Sequence, residues 1–300
     1  MFNILVSVMG PVVLIVAIGA LVGPRLGLEV RTLSKLAYWI LGPAFMFDSL
    51  ADADLPAETV LNLSMASVAA FAAAGLVGAI ISMALGNGFE NVSADVVSST
   101  YGNVGNTGIA ICVFALGEQV RAEASVVMVV VNTLGVLAAV SLASSRLGFS
   151  GRALITAITT PLALGAIAAL PVNTLDVSIP QWLDRPVTLV AGALIPVMLL
   201  TLGLQLREVD VRRPEQGVIA SAPAKLVVAP LVGWFAAAAL GLTGTDQGVV
   251  LLQASMPPAV FTMLVAVEHD LVPRRVTSSL VTLTAAALVT VPIAVAVAQG

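Results

Sequence analysis

The sequence predicts an all-α polytopic membrane protein of about ten transmembrane helices. Three observations carry this. Hydrophobic residues make up 59% of the 300 and charged residues only 10%, whereas soluble domains run at about 45–50% apolar with glycine counted and about 25% charged. The mean hydropathy is +1.05. The apolar residues also come in long uncharged runs of roughly the 20 residues that a helix needs to cross a bilayer, without the period-two alternation of an outer-membrane barrel. Finally, the loops between runs are short, so the chain is expected to carry no folded extramembrane domain. This composition excludes a soluble enzyme, a disordered chain and a nucleic-acid binder, which would need basic clusters.

Charges, prolines and glycines mark off the runs in order. Spans one to five are 2–23, 32–49, 59–85, 93–116 and 122–142. Spans six to ten are 153–170, 187–206, 218–240, 249–267 and 276–297. Span one has no Lys or Arg before Arg25 and exceeds a signal-peptide core, so it reads as a retained helix. The single cysteine, Cys112, lacks a partner for an intrachain disulfide and leaves no cysteine-based metal site; it reads as a small packing residue.

The basic residues set the orientation. The odd-numbered loops hold Arg25, Arg31, Arg146, Arg152, Arg207, Arg212, Arg213, Arg274 and Arg275, nine in all, against Arg121 and Arg185 in the even-numbered loops. Basic loops stay in the cytoplasm, which puts both termini outside a plasma-membrane protein. The two halves, 1–145 and 146–300, also echo each other. Pro11 and Pro161 are offset by 150 residues, and Pro43 and Pro196 by 153. Five spans is an odd number, so the second copy enters from the opposite side, the pattern of an inverted repeat. Chance spacing of prolines, which are common in membrane helices, is the alternative.

Two spans are broken near their middles. In span four the run Tyr101-Gly102-Asn103-Val104-Gly105-Asn106-Thr107-Gly108 is a poor helix former. In span nine, Ala254-Ser255-Met256-Pro257-Pro258-Ala259 loses two amide donors at its adjacent prolines. Irregular backbone at membrane depth persists only inside protein or beside water. Paired interrupted helices point to a transporter site, because half-helix N-termini suit an anion and exposed carbonyls suit a cation. The expected substrate-binding residues are Asn103, Gly105, Asn106, Thr107, Ser255, Met256, Pro257 and Pro258. The alternative for Gly102, Gly105 and Gly108 is a small-residue packing face.

Further polar residues lie inside spans. Asn132 and Thr133, with Thr282 in the equivalent place of span ten, are either ion or substrate contacts or helix–helix hydrogen bonds. Lys225 lies seven residues into span eight, roughly 10 Å deep. It either snorkels or forms a structural ion pair, or it serves the site. Asp48, Asp95 and Glu268 are expected at the interfaces, Asp95 being the one to watch for proton coupling, and His269 in a solvated loop.

The function these features support is secondary transport of a small organic anion. No nucleotide-binding segment is present, and one charge crossing 100 mV is worth about 2.3 kcal/mol. An anion leaving a negative interior therefore needs no coupling ion, whereas import needs Na+ or H+. A membrane-embedded enzyme would need clustered carboxylates or histidines, which the spans lack. A channel would conduct without saturating. No other cofactor, no metal and no nucleic acid is expected; the partners are the anion, the bilayer and, through the outer surface of the scaffold, a second copy.

The chain resembles the auxin efflux carrier family, specifically its short bacterial members. The likeness is carried by Leu33-Ser34-Lys35-Leu36-Ala37-Tyr38-Trp39-Ile40-Leu41-Gly42-Pro43, the span-four break, Leu202-Gly203-Leu204-Gln205-Leu206, Lys225-Leu226-Val227-Val228-Ala229-Pro230 and Ala254-Ser255-Met256-Pro257. The resemblance implies ten helices in two inverted five-helix repeats, a fold shared with bile-acid sodium symporters. It implies that broken helices four and nine cross. A scaffold of spans one, two, six and seven would hold a mobile unit of spans three to five and eight to ten, which works by elevator-like alternating access. In plant members an Asn-Pro pair at each crossover holds the substrate carboxylate. This chain departs from that, with Thr107 after Asn106 and no asparagine beside Pro257-Pro258.

Overall fold

The structure is a computed structural model that describes residues 5–143, 151–207, 215–259, 262–263, 266 and 271–300. Arg146, Arg212, Arg213, Glu268, His269 and the boundary between the two expected repeats lie outside the described residues. Among the described residues the regular structure is helical, joined by turns and loops, with one antiparallel bridge between Gly102 and Pro258 and no strand.

Helices fall within every marked interval, but not all are continuous. Five are long and apolar enough to cross a membrane alone: Ala57–Ala84, Glu118–Ala139, Gln181–Arg207, Gly217–Ala239 and Pro273–Gln299. Gly10–Leu26 and Val30–Ala51 pass the same test only as a pair bent by 116°, which makes six. Among the described residues, length and composition thus count five or six crossing helices; breaks shorten several of the others. Span four divides into Phe89–Thr100 and Val104–Leu116. Span six divides into Gly151–Ile158 and Pro161–Thr174, and span nine begins with Gly244–Ala254.

Prolines shape the helices that stay whole. A π-helical turn immediately precedes the segment containing Pro11, Pro43 or Pro230: Leu5–Met9, Ala37–Leu41 and Ala224–Val228. Proline donates no hydrogen bond and its ring collides with the carbonyl four residues back. Widening the preceding turn by one residue relieves both problems without ending the helix.

The helices pack in two groups. In one, spans one and two pack against spans seven and six. The contact is backbone to backbone: a Cβ on Gly19 would overlap the Leu200 carbonyl, and one on Gly203 the Val16 carbonyl. Small residues are what allow membrane helices this close. In the other group, Ala57–Ala84 packs against Phe89–Thr100, Arg121–Ala143 and span eight, and Gly244–Ala254 packs against Pro273–Gln299. This second group holds a buried ion pair. Arg275 Nε and Nη2 donate to Asp95 Oδ1 and Oδ2, both at 2.7 Å. Asp95 is 0% and Arg275 4% exposed. Asp95 is not the interfacial residue expected, nor is Arg275 a solvated loop residue, because each satisfies the other across 180 positions of sequence.

Breaking one side of such a pair leaves a buried charge alone, which costs about 3–5 kcal/mol. Asp95→Ala is expected to lower the unfolding temperature in detergent sharply. Asp95→Leu combined with Arg275→Met should recover most of that loss. Equal unfolding temperatures for wild type and Asp95→Ala would show that the pair does not hold spans four and ten together.

Candidate functional site

The two broken segments meet. Thr100 ends its helix, Tyr101 is extended (φ −93°, ψ 95°), and a new turn starts at Val104. The extended piece runs antiparallel to the break after Ala254. The Asn103 amide donates to the Pro257 carbonyl at 2.7 Å, and the Ala259 amide to the Tyr101 carbonyl at 2.8 Å. Pro257 and Pro258 can donate nothing, so the donors come from Asn103 and Ala259 on either side of the bridge. Backbone freed by the breaks is satisfied by the opposite break, which is what the bilayer interior demands.

A cavity of about 100 Å³ opens beside this crossing. Tyr101, Gly102, Asn103, Val104, Gly105, Asn106 and Ala259 form its inner wall, with Met128 and Asn132 of span five. Ser34, Tyr38, Leu162, Leu194, Met198 and Gln205 form the facing wall. Several waters or part of a small organic molecule fit such a volume. No Asp, Glu, Lys or Arg occurs among its described lining residues; the polar groups are amides and hydroxyls. Val104–Leu116 also starts here, and the first amides of a helix have no acceptor within it. The cavity lies on the seam between the two packing groups, with lining residues from both.

Of the expected residues, Asn103, Gly105, Asn106 and Asn132 line the cavity. Asn103 Nδ2 donates to Thr107 Oγ1 at 3.0 Å, so Thr107 sits one bond behind the wall. Asn103 has ψ 51° and lies before the helical turn, so it does not share a helical face with Asn106. Ser255, Met256, Pro257 and Pro258 are buried behind the crossing and do not line the cavity; Ser255 Oγ donates back to the Leu251 carbonyl at 2.7 Å. Thr133 and Thr282 are half-buried and away from the cavity. Ser34, Tyr38 and Gln205 are lining residues that the sequence reading quoted only as family markers. Their sole signal was their place in those markers.

Lys225 does not snorkel and has no ion-pair partner among the described residues. It is 0% exposed, and its Nζ lies 4.0 Å from the Phe71 ring centroid without a hydrogen bond. It backs onto the crossing: a Cβ on Gly102 would come within 2.8 Å of that Nζ and 2.9 Å of the Phe71 ring. Glycine is what lets the extended strand pass. The cation–π contact is worth about 0.5–2 kcal/mol, less than the several kcal/mol that burying an ammonium costs. Lys225→Met is therefore expected to leave the unfolding temperature in detergent unchanged or higher. A fall of several degrees would mean that Nζ is bonded in the protein in solution.

A family model described as membrane transport protein matches residues 143–295, just over half of the chain. A protein of Methanothermobacter thermautotrophicus described as an uncharacterized transporter is 29% identical over 103 residues, 34% of this chain and 34% of its own length. The chain thus spans about a third of the length of that curated relative. With the family model covering half of its residues, the chain belongs to the membrane transport protein family, the auxin efflux carrier group that its sequence resembles.

Proposed function

We propose that the protein is a secondary carrier that moves a small organic anion, a carboxylate, across the plasma membrane. The observation that carries this reading is the crossing at residues 101–103 and 257–259, beside a cavity lined by neutral donors and the start of a helix. Such a surface favours a negative group, and the absence of a carboxylate from the described lining disfavours a cation there. The carrier has ten spans in two inverted repeats, 1–145 and 146–300, with both termini outside. Met128, Leu162, Leu194 and Met198 give the substrate's body an apolar bed.

The two packing groups support alternating access, with spans one, two, six and seven as scaffold and spans three to five and eight to ten as the transport unit. The cavity lining includes Ser34 and Gln205, near the ends of spans two and seven that adjoin the basic odd-numbered loops. At the other end Arg121 of the unit is held by the scaffold. Its Nη2 lies 2.8 Å from Asp48 Oδ2 and its guanidinium 4.4 Å from the Phe45 centroid, while Thr188 Oγ1 donates to Asp48 Oδ1 at 2.6 Å. We take the side of the cavity as the open one and the side of the Asp48–Arg121 pair as latched. By the basic-loop bias the open side is cytoplasmic. The membrane potential then drives an anion outward without a coupling ion; import would need Na+ or H+.

Counterflow of labelled acetate, benzoate, phenylacetate and succinate in proteoliposomes, with and without sodium and pH gradients, tests the substrate class. Saturable exchange of at least one is expected; none with any, or single-channel currents, would overturn the reading. Asn103→Ala and Asn106→Ala should weaken binding roughly 10- to 150-fold while the protein still folds, the cost of a lost hydrogen bond to a charged group. Unchanged affinity in both would leave the span-four break as a packing face.

A further inference from the structure

We propose that Thr160 is a positioning residue of this site, fixing from across the seam which way the Asn132 amide points. The inference rests on reading the cavity as the substrate site. Span six breaks at Thr160, which caps Pro161–Thr174 and is 5% exposed. Asn132, on span five, is also 5% exposed and lines the cavity.

A threonine hydroxyl has one proton and two acceptor sites. The Thr160 proton goes to the Ala157 carbonyl at 3.1 Å. One acceptor site takes the Ala163 amide at 3.3 Å, the capping bond. What remains is a single acceptor site facing Asn132, whose Nδ2 lies at 3.3 Å. Asn132 must therefore turn its NH2 group toward Thr160 and its carbonyl oxygen away. That oxygen accepts the Tyr101 hydroxyl at 2.5 Å, which ties Tyr101 at the crossing into the same chain. Reversing the amide would set two acceptors against each other at Thr160, unless the Thr160 proton left Ala157.

After these bonds Asn132 retains one N–H. It is a donor offered to the cavity, of the right sign for a carboxylate oxygen. Thr160 thus decides that this residue presents a donor rather than an acceptor. Asn132 belongs to the transport unit and Thr160 to the scaffold, so the relay holds only in this register. Sliding of the unit breaks it and frees the amide to turn, which loosens the grip on the anion at the far side.

The test uses whichever of the four labelled carboxylates gives the strongest counterflow, with half-saturation concentration and maximal rate per folded carrier measured for four variants. Asn132→Ala and Thr160→Val are each expected to raise half-saturation roughly 10-fold without lowering the maximal rate. Thr160→Ser, which keeps the hydroxyl, should stay within about 2-fold of wild type. The double variant Asn132→Ala/Thr160→Val should match Asn132→Ala alone, because the two act through one group. A merely structural Thr160 would instead lower the folded yield and leave half-saturation unchanged. Wild-type half-saturation in Thr160→Val, or effects of the two substitutions that multiply, would overturn the proposal. If none of the four carboxylates exchanges, the substrate class fails, and the same cycle on thermal unfolding in detergent decides the relay. Non-additive losses support it, and additive losses overturn it.

Discussion

Unpaired backbone inside a membrane is the constraint on which the rest of this structure depends. A helix satisfies its own amides and carbonyls, and a broken helix cannot. Spans four and nine are both broken near mid-depth, and each break supplies what the other lacks. The Asn103 amide meets the Pro257 carbonyl, and the Ala259 amide meets the Tyr101 carbonyl. Once the breaks are paired, a helix start, two asparagines and a tyrosine are gathered beside one cavity. The same pairing brings the strand past Lys225 and Phe71, where a Cβ at position 102 would push on the Lys225 Nζ and the Phe71 ring.

The remaining helices divide around this crossing. Spans one, two, six and seven are locked by contacts close enough to exclude a Cβ, and the other group is tied by the Asp95–Arg275 pair. Across the seam the polar links among the described residues are of a different kind; they include the Asp48–Arg121 ion pair at one end and the Asn132–Thr160 bond deeper in the protein. Each can be exchanged for water or for another partner. Strong contacts within groups and exchangeable ones between them are what sliding of one body past another requires.

Much of this was legible in the sequence, and the parts that were not share a cause. The helical class, the long apolar helices and the positions of both breaks follow from local composition: apolar runs, Gly/Asn clusters and paired prolines. Which side chains meet does not. Asp95 looks interfacial until Arg275, 180 positions away, is seen to neutralise it. Lys225 sits at a depth from which a lysine can snorkel, but the π-turn at Ala224–Val228 and the Phe71 ring keep it inside. Ser255 to Pro258 drew attention as a motif, yet it is Ala259 that reaches the cavity. The count of continuous crossing helices fell short because breaks that are useful at a site also shorten the helices that carry them.

The central claim is that one group of helices moves past the other as a body, carrying the crossing with it. The most direct measurement is transport by Asp48→Cys/Arg121→Cys, made with Cys112→Ala and bridged by a short bifunctional thiol reagent. Bridged carriers are predicted to lose counterflow and still bind the anion from the side nearer Ser34 and Gln205. Uncoupled carriers treated with a monofunctional reagent should keep transporting. Full counterflow in carriers bridged at high yield would contradict it and leave local gates around a fixed site.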